Sequence, residues 1–228
     1  MNLDEFYQKY PKEKVDDALA FLNYKTAPKD LPKSESDTKP TLYIFRHGQT
    51  EDNAEQLFSG WRDSPLTERG REQSRILAEK LKDKKIDMLI SSPQIRAVET
   101  MKVAMSKNKS KDLEIHMDER IKERSYGDLQ GKSKLEMVLE DPKLAQKIRR
   151  SYDEVPPNGE SIAMVCDRVF QFCDETIPLM KQNKTNVAIS CHGNSIRGFR
   201  KYFEGLNPEE TASIETPLGQ DYIAYLIN

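Results

Sequence analysis

Thr41-Leu-Tyr-Ile-Phe-Arg-His-Gly48 is the stretch that decides the fold, a run of apolar and β-branched residues that ends in Arg46, His47 and a glycine. Asn186-Val-Ala-Ile-Ser-Cys-His-Gly193 repeats this arrangement later in the chain. Such runs are typical of parallel strands that are buried on both faces and end in loops. Because open α/β sheets bind ligands beyond the carboxyl ends of their strands, we expect His47 and His192 to lie in one crevice.

A third strand-like run, Asp87-Met-Leu-Ile-Ser-Ser92, is followed closely by Arg96. Neutral imidazole can attack phosphorus near pH 7, and arginine offers a rigid, charged fork of donors that matches phosphoryl oxygens. A glycine after each histidine lets backbone amides approach an anion. Although a lone histidine at a strand end is more often structural, the joint pattern of two histidines with Arg46 and Arg96 predicts a phosphoryl-transfer site.

Helical and strand patterns alternate through most of the chain. Helices are predicted, in chain order, over residues 68–81, 95–105, 162–180 and 196–204, and a last strand over residues 222–227. Thr67 and Ser161 are suited to cap the first and third of these helices. The alternation predicts an α/β fold with three layers, α/β/α, around a mostly parallel central sheet. Residues 118–160 form an inserted excursion, rich in charges and turns, that we expect to lie over the active site.

Residues 1–40 precede the first strand and contain two apolar stripes at helical spacing. The stripes consist of Leu3, Phe6, Tyr7 and Tyr10, then Val15, Ala18, Leu19 and Leu22. They predict two short helices separated at Pro11, followed by a Pro/Ser/Lys linker from about residue 27 to residue 40. Because such a stripe packs on the domain itself or on a partner, we predict a helical extension, 1–40, that does one or the other. The catalytic domain is predicted to span residues 41–228.

The composition indicates one α/β enzyme domain. The chain has 228 residues, a formal net charge of -2 and three cysteines. No charge excess suggests nucleic acid, no apolar run reaches the roughly 20 residues that span a bilayer, and no secretory signal is visible. An odd number of cysteines favours a reducing compartment, and no spacing matches a metal or nucleotide motif. We expect a cytoplasmic enzyme with no metal, nucleic-acid or membrane partner.

Three motifs resemble the signatures of the histidine phosphatase superfamily. They are Arg46-His47-Gly48, Ser91-Ser92-Pro93 with Arg96, and Cys191-His-Gly-Asn-Ser195. Within the superfamily, the chain is most similar to the cofactor-dependent phosphoglycerate mutases in four further stretches. These are Phe58-Ser-Gly-Trp61 with Asp63, Glu123-Arg-Ser-Tyr-Gly-Asp-Leu-Gln-Gly131, Arg149-Arg-Ser-Tyr152 and Pro156-Pro-Asn-Gly-Glu-Ser161. The resemblance runs from about Thr41 to the end of the chain.

The resemblance implies a role for each matching residue. His47 is implied to be the nucleophile that becomes phosphorylated, and Glu123 the general acid and base. The residues implied to bind the transferring phosphoryl group are Arg46, Arg96, His192 and, through its amide, Gly193. The other residues implied to contact substrate are Thr50, Asn53, Ser59, Gly60, Tyr126, Lys134, Arg149, Arg150 and Asn194. Among these, Lys134, Arg149 and Arg150 match the basic group that holds the far end of a phosphoglycerate.

Two of these assignments have simpler alternatives. Glu123 stands between Lys122 and Arg124, and from its neighbours alone it is more readily interpreted as a solvated charge. Arg149 and Arg150 follow a helical pattern and could be a basic last turn that complements the helix dipole.

The implied function is the interconversion of 3-phosphoglycerate and 2-phosphoglycerate in glycolysis and gluconeogenesis. It runs through a phosphohistidine primed by 2,3-bisphosphoglycerate, without a metal, in a monomer or weak homodimer. The alternative is a histidine-type acid phosphatase that hydrolyses small phosphomonoesters. Ser125 and Thr50 differ from the usual mutase residues, and Asn228 follows the last predicted strand where mutases typically carry a tail that excludes water. A catalytically inactive binding module is the third interpretation, disfavoured because all five catalytic residues are present.

Overall fold

The computed structural model of the protein describes residues 3–23 and 30–228. Residues 1–2 and 24–29, with the predicted start of the linker at about residue 27, lie outside the described residues. Within the described part, none of the helices combines the length and the apolar character that a bilayer crossing requires.

Five strands in the described part of the chain form one sheet. They are β1 (Thr41–Arg46), β2 (Met88–Ser91), β3 (Ile115–Met117), β4 (Val187–Cys191) and β5 (Tyr222–Leu226). Their order across the sheet is β3-β2-β4-β1-β5, with β5 antiparallel to β1 and every other neighbouring pair parallel. The predicted α/β fold with a mostly parallel sheet is therefore confirmed.

Ten α-helices are found among the described residues. They are α1 (Leu3–Lys9), α2 (Lys12–Asn23), α3 (Glu51–Ala54), α4 (Glu68–Leu81), α5 (Ile95–Met105), α6 (Lys134–Glu140), α7 (Pro142–Arg150), α8 (Ile162–Asn183), α9 (Gly193–Glu204) and α10 (Pro208–Ser213). Thr67 and Ser161 cap α4 and α8 as predicted. Helix α9 begins at Gly193 rather than at Ile196, because the extended His192 is its N-cap residue and no loop intervenes after β4.

Helices cover both faces of the sheet and give the predicted three layers. Side chains alternate between the faces of a strand. Leu42 and Ile44 of β1 accordingly pack with residues of α8 and α9. Tyr43 and Phe45 of the same strand pack with residues of α4 and α5 on the opposite face.

Residues 118–160 hold α6, α7 and two 3-10 turns, Glu119–Ile121 and Gly127–Leu129. The N-terminal helices α1 and α2, which we call the N-terminal hairpin, pack on this excursion. The apolar contact comprises Val15, Ala18 and Leu22 of α2 with Leu135, Val138, Leu139 and Ala145 of α6 and α7. The two apolar stripes read in the sequence thus have their partner within the same chain.

Residues 30–40 run beside the outer edge of β5. The amide of Ala224 donates to the carbonyl of Pro32 at 2.9 Å, and the amide of Ser34 donates to the carbonyl of Ala224 at 2.9 Å. Lys33 forms the corresponding parallel bridge with Ala224. The described part of the predicted linker is therefore bound to the sheet.

Candidate active site

His47 and His192 follow β1 and β4, which are neighbours in the sheet. Their ring centroids lie 5.1 Å apart with the planes tilted by 56°. Both side chains are buried. The structure therefore brings the two histidines together at the carboxyl edge of the sheet.

The imidazole of His47 is held in one tautomer. Its Nδ1 lies 2.7 Å from the carbonyl oxygen of Gly48. Since a carbonyl can only accept, Nδ1 carries the hydrogen and Nε2 keeps its lone pair. Burial, reinforced by the charges of Arg96 and Arg46, lowers the pKa of His47 well below its usual value. At pH 7 this side chain is a neutral base with Nε2 available for attack.

The two glycines that follow the histidines serve different purposes. The amide of Gly48 donates to the hydroxyl of Thr100 at 3.0 Å, so it is already engaged. A Cβ at Gly48 would lie 2.3 Å from the carbonyl oxygen of Gly70, so this glycine allows α4 to approach. A Cβ at Gly193 would lie 3.4 Å from Cζ of Arg46, which leaves room for that guanidinium. The expectation that both amides approach an anion is therefore wrong for Gly48.

The backbone anchors both arginines at this edge. Arg96 donates to the carbonyls of Arg62 and Gly60, each at 2.8 Å. Arg46 donates to the carbonyl of Thr216 at 2.8 Å. These bonds use two of the five N–H donors of Arg96 and one of those of Arg46, so donors remain for a ligand.

Among the described residues, four buried polar atoms at this site have no hydrogen-bond partner. They are Nε of Arg46, Nε of Arg96, Nδ1 of His192 and Oγ1 of Thr216. A buried polar atom without a partner costs free energy, typically about 1–3 kcal/mol, and more when the group is charged. An anion with several oxygens in the crevice would give these atoms partners and balance the two positive charges.

His192, beside His47, is oriented by a hydroxyl. Its Nε2 is 2.8 Å from Oγ of Ser92. Burial lowers the pKa of His192 well below its usual value, and the charges of Arg96 and His47 contribute. The side chain is therefore neutral beside the arginines, and a phosphate dianion would favour its protonated form.

Glu123 is buried and held by hydrogen bonds, so the alternative of an ordinary solvated charge is wrong. Its amide donates to Oε1 of Gln94 at 2.8 Å. Its own Oε1 accepts from the amide of Arg124 at 2.7 Å and from the amide and Nδ2 of Asn194 at 3.2 and 2.9 Å. Among the described residues no donor bonds to Oε2, which is thus the oxygen available for proton exchange.

Arg197 fixes the orientation of Asn194, and we did not predict it. Its Nη1 donates to Oδ1 of Asn194 at 2.7 Å, and its Nε donates to the carbonyl of Ile214 at 3.1 Å. With Oδ1 facing a guanidinium, Nδ2 of Asn194 must face the carboxylate of Glu123. The available signal was the helical spacing, because Asn194 and Arg197 are neighbours at i, i+3 on α9.

Lys134 and Arg149 supply further positive charge to the cavity. Lys134 is the first residue of α6, and Arg149 lies in the last turn of α7. Burial, reinforced by the charges of Arg149 and Arg46, lowers the pKa of Lys134 to about 8. In the described part of the chain, no carboxylate lies within ion-pair distance of either side chain. Arg149 thus belongs to a basic last turn and also lines the cavity.

Arg150 has a partner within the cavity. Its Nη2 lies 2.5 Å from Oε1 of Glu215, which comes from the loop before β5. Burial favours the neutral form of Glu215, but the charges of Arg150 and Arg197 outweigh it and lower the pKa of this carboxyl. The charge of Arg150 is therefore partly neutralised by Glu215.

One cavity of about 160 Å³ collects these groups. It is lined by all the predicted site residues except Thr50 and His192, namely by Arg46, His47, Asn53, Ser59, Gly60, Arg96, Glu123, Tyr126, Lys134, Arg149, Arg150, Gly193 and Asn194. The lining residues that we did not predict are Gln56, Phe58, Arg197, Ile214, Glu215 and Thr216. Residues 214–216 belong to a loop without a periodic pattern, so the sequence held no signal for them.

Thr50 lies outside the lining because it caps α3. Its hydroxyl accepts from the amide of Asn53 at 3.2 Å, and its amide donates to Oδ1 of Asn53 at 3.2 Å. The direct substrate contact predicted for Thr50 stays a prediction, and the role that the structure shows for Thr50 is that of a helix cap. Thr50 holds Asn53, which does line the cavity.

The side chains of this site are mostly cationic hydrogen-bond donors, as expected for a site that binds an anion. Arginine and lysine donate hydrogen bonds and carry positive charge, which suits phosphate and carboxylate oxygens. In the part of the chain that the structure describes, no group of three or more His, Cys, Asp or Glu side chains is placed to hold a metal ion.

Comparisons with known proteins agree with this chemistry. The sequence model of the family described as "Histidine phosphatase superfamily (branch 1)" matches residues 42–223. A Chlamydia abortus protein named 2,3-bisphosphoglycerate-dependent phosphoglycerate mutase is 35% identical over 211 residues, which cover 81% of this chain and 92% of the relative. A Cytophaga hutchinsonii protein of the same name is 37% identical over 182 residues, covering 79% and 84% of the two chains.

Solved structures show the same fold. Mycobacterial glucosyl-3-phosphoglycerate phosphatase, solved with VO3, superposes with a TM-score of 0.73 over 81% of this chain and 92% of that chain. The two sequences are 24% identical, so the likeness concerns the fold alone.

Proposed function

We propose, because the chain belongs to the histidine phosphatase superfamily, that it interconverts 3-phosphoglycerate and 2-phosphoglycerate. The observation that carries the proposal is the set of unpartnered buried polar atoms of Arg46, Arg96 and His192 beside the neutral His47. They form a phosphoryl pocket, and Lys134 and Arg149, which have no carboxylate partner among the described residues, line the same cavity. Relatives named phosphoglycerate mutase, 35% and 37% identical, support this substrate class.

In the first half-reaction, Nε2 of His47 attacks the phosphorus of a bound phosphate ester. The P–N bond forms while the P–O bond to the sugar-acid oxygen breaks, and Glu123 gives that oxygen a proton. Arg46 and Arg96 neutralise charge on the equatorial oxygens, where positioning and electrostatics supply most of the catalysis. His192 adds a donor once the dianion favours its protonated form.

In the second half-reaction, a hydroxyl of the bound acid attacks the phosphohistidine. Oε2 of Glu123 accepts the hydroxyl proton as the new P–O bond forms, and the P–N bond of His47 breaks. The imidazole returns to its neutral tautomer because Nδ1 keeps its hydrogen, donated to the carbonyl of Gly48, throughout. Glu123 thus ends each cycle in the protonation state in which it began.

Lys134 and Arg149 select the acid. Two cations without carboxylate partners at the far side of the cavity favour a substrate with a second negative group, such as the carboxylate of phosphoglycerate. Arg150 contributes less free charge because Glu215 is paired with it. A simple phosphomonoester would leave Lys134 and Arg149 without an anionic partner.

The proposed primer, 2,3-bisphosphoglycerate, fits the same residues. Its phosphoryl groups would be held by Arg46, Arg96 and His192 on one side and by Lys134 and Arg149 on the other. When bound, it supplies the phosphoryl group that first charges the enzyme. The unpartnered buried atoms at the phosphoryl side support this fit.

The second candidate is hydrolysis of small phosphomonoesters. It follows the same first half-reaction, with water in place of the acceptor hydroxyl in the second. Ser125 favours it, since mutases resembling this chain usually carry a larger ring at that position. The cytoplasm is the proposed compartment for either activity, because all three cysteines are buried and free, which suits reducing conditions.

An assay of the purified protein with 3-phosphoglycerate, with and without 2,3-bisphosphoglycerate, tests the proposal. We expect rapid formation of 2-phosphoglycerate that requires the bisphosphate and releases little inorganic phosphate. Release of phosphate with negligible isomerisation would establish the phosphatase instead. The Arg149→Ala variant serves as a control, because it removes a cation that isomerisation needs and leaves the phosphoryl pocket intact.

A further inference from the structure

The N-terminal hairpin contacts a residue of the proposed active site. Nη2 of Arg149 donates to the backbone carbonyl of Leu22 at 3.4 Å. Its Cζ lies 5.5 Å from the centroid of the Phe21 ring, within the range of a cation–π contact. Both partners lie in the last turn of α2, where carbonyl groups carry partial negative charge. The hairpin thus binds the same guanidinium that lines the cavity.

The hairpin also packs on the element that presents the charges. Helices α6 and α7 are separated by one residue, Asp141, whose side chain caps α7 by accepting from the amide of Leu144 at 2.9 Å. Lys134 opens this helical pair and Arg149 lies near its end. The apolar contact with α2 lies between them in sequence, so the hairpin supports the pair along its length.

The hairpin lies outside the part of the chain that the family model matches, which is residues 42–223. The family model therefore does not account for its contacts with Arg149.

We propose that the N-terminal hairpin is a positioning element of the active site. Phe21 and the carbonyl of Leu22 hold the guanidinium of Arg149 where it can bind the carboxylate of a phosphoglycerate. This inference rests on the proposed function, since it assigns the hairpin to the acid-binding side of that same site. Phe21 acts through Arg149 and does not itself touch substrate.

A purely structural hairpin would behave differently. It would lower the free energy of unfolding when mutated and would leave the kinetics of the folded enzyme unchanged. A positioning hairpin changes the KM for substrates that carry a carboxylate. It leaves unchanged the hydrolysis of p-nitrophenyl phosphate, which has no carboxylate for Arg149 to bind.

The Phe21→Ala variant tests the proposal, with Phe6→Ala as its matched control. Phe6 packs in the same apolar cluster of the hairpin, but no contact joins it to Arg149. We expect Phe21→Ala to raise the KM for 3-phosphoglycerate about three- to fivefold, the loss expected for one cation–π contact, with kcat unchanged. Phe6→Ala should match the wild type in KM, and both variants should hydrolyse p-nitrophenyl phosphate normally.

A second arm uses Arg149→Ala as the background. Adding Phe21→Ala to it should cause no further rise in KM, because the group that Phe21 positions is then absent. Equal KM values for folded Phe21→Ala and wild type would overturn the proposal, and so would an additive effect in the double variant.

The outcomes also separate this inference from the proposed function. The inhibition constant of 3-phosphoglycerate against p-nitrophenyl phosphate hydrolysis is measured first in the wild type. If 3-phosphoglycerate is neither isomerised nor inhibitory, the proposed function fails. If it acts on the wild type and Phe21→Ala responds identically, only the positioning role fails.

Discussion

The rings of His47 and His192 lie 5.1 Å apart and are anchored through opposite nitrogens. Nδ1 of His47 is bound to the carbonyl of Gly48, whereas Nε2 of His192 is bound to the hydroxyl of Ser92. The free nitrogens are therefore Nε2 on His47 and Nδ1 on His192. This asymmetry suits the proposed roles, in which the first ring attacks and the second binds the phosphoryl group.

Replacing His47 with alanine should abolish covalent labelling. The wild type, treated with 2,3-bisphosphoglycerate carrying a radioactive phosphoryl group, should acquire one acid-labile, base-stable label, as expected for phosphohistidine. His47→Ala should acquire none and lose at least about a thousandfold in kcat. His116→Ala is the matched control, because His116 is exposed on β3 and lies outside the cavity lining. A label retained by His47→Ala would contradict the assignment.

The free energy of unfolding should fall as the pH drops below about 6.5. Burial holds the pKa values of His47 and His192 well below 6.5, so only the unfolded state takes up these two protons in that range. Stability is therefore fully present above pH 6.5, and each histidine removes about 1.4 kcal/mol per pH unit below it. We expect urea unfolding in phosphate-free buffer to lose up to about 3 kcal/mol between pH 7.5 and 5.5.

A double variant, His47→Gln with His192→Gln, should flatten this pH dependence. Inorganic phosphate should weaken it as well, because the bound anion favours protonation of His192 in the folded state. An unchanged slope in the double variant would show that other groups cause the loss of stability.

Substrate affinity should decline as the pH rises through 8. Burial, with the charges of Arg149 and Arg46, lowers the pKa of Lys134 to about 8, so its ammonium is lost above that pH. We expect the KM for 3-phosphoglycerate to rise, approaching about tenfold per pH unit well above pH 8, while kcat at saturation stays level. Lys134→Arg keeps its charge and should show a flat KM. A parallel rise in both enzymes would place the titration elsewhere.

Glu123→Gln should lower the reaction rate only for substrates whose leaving group needs a proton. Glutamine keeps the hydrogen bonds at Oε1 but cannot transfer a proton, so kcat for isomerisation should fall about a hundredfold or more. Phosphorylation of His47 by p-nitrophenyl phosphate should change little, because nitrophenolate leaves without a proton. Glu119→Gln, an exposed carboxylate in the neighbouring 3-10 turn, is the control for a change of charge. Equal losses for both substrates would rule out a proton-transfer role.

Removing Glu215 should rescue the KM of a variant that lacks its ion-pair partner, Arg150. Arg150→Ala leaves the carboxylate of Glu215 unpaired in an anion-binding cavity, so we expect the KM for 3-phosphoglycerate to rise about tenfold. Adding Glu215→Gln removes that charge and should restore KM to within about threefold of the wild type. The same addition should fail to rescue Arg149→Ala. Failure to rescue Arg150→Ala would mean that Arg150 itself binds substrate.

The sequence predicted the elements whose patterns depend on burial. β2, Met88–Ser91, lies within the predicted strand-like run 87–92, and α5 has the predicted bounds, Ile95–Met105, because an apolar run and a helical period are direct consequences of packing on a sheet. His47 and His192 were predicted to share a crevice from strand direction alone. The helix after β4 was placed three residues late, since a histidine that serves as N-cap leaves no turn signature.

The remaining features of the site depend on tertiary contacts. The partner of Arg150 comes from a loop far along the chain, and nothing local to Glu215 indicates that the two side chains meet. The contact of Arg149 with Leu22 joins an extension to the cavity across 127 positions of sequence. The bonds of Glu123 required the structure for the same reason, since sequence neighbours alone suggested a solvated charge.

The pairing of residues 32–34 with β5 has a consequence for how the molecule behaves in solution. An edge strand with free amides and carbonyls is a template on which a strand of another molecule can add. Here Pro32 and Ser34 form hydrogen bonds with the outward-facing amide and carbonyl of Ala224. These groups of the edge strand are therefore not available to another molecule. A protein that lacks the residues before β1 would keep its catalytic groups and lose this protection. We expect such a protein to aggregate through β5 during storage.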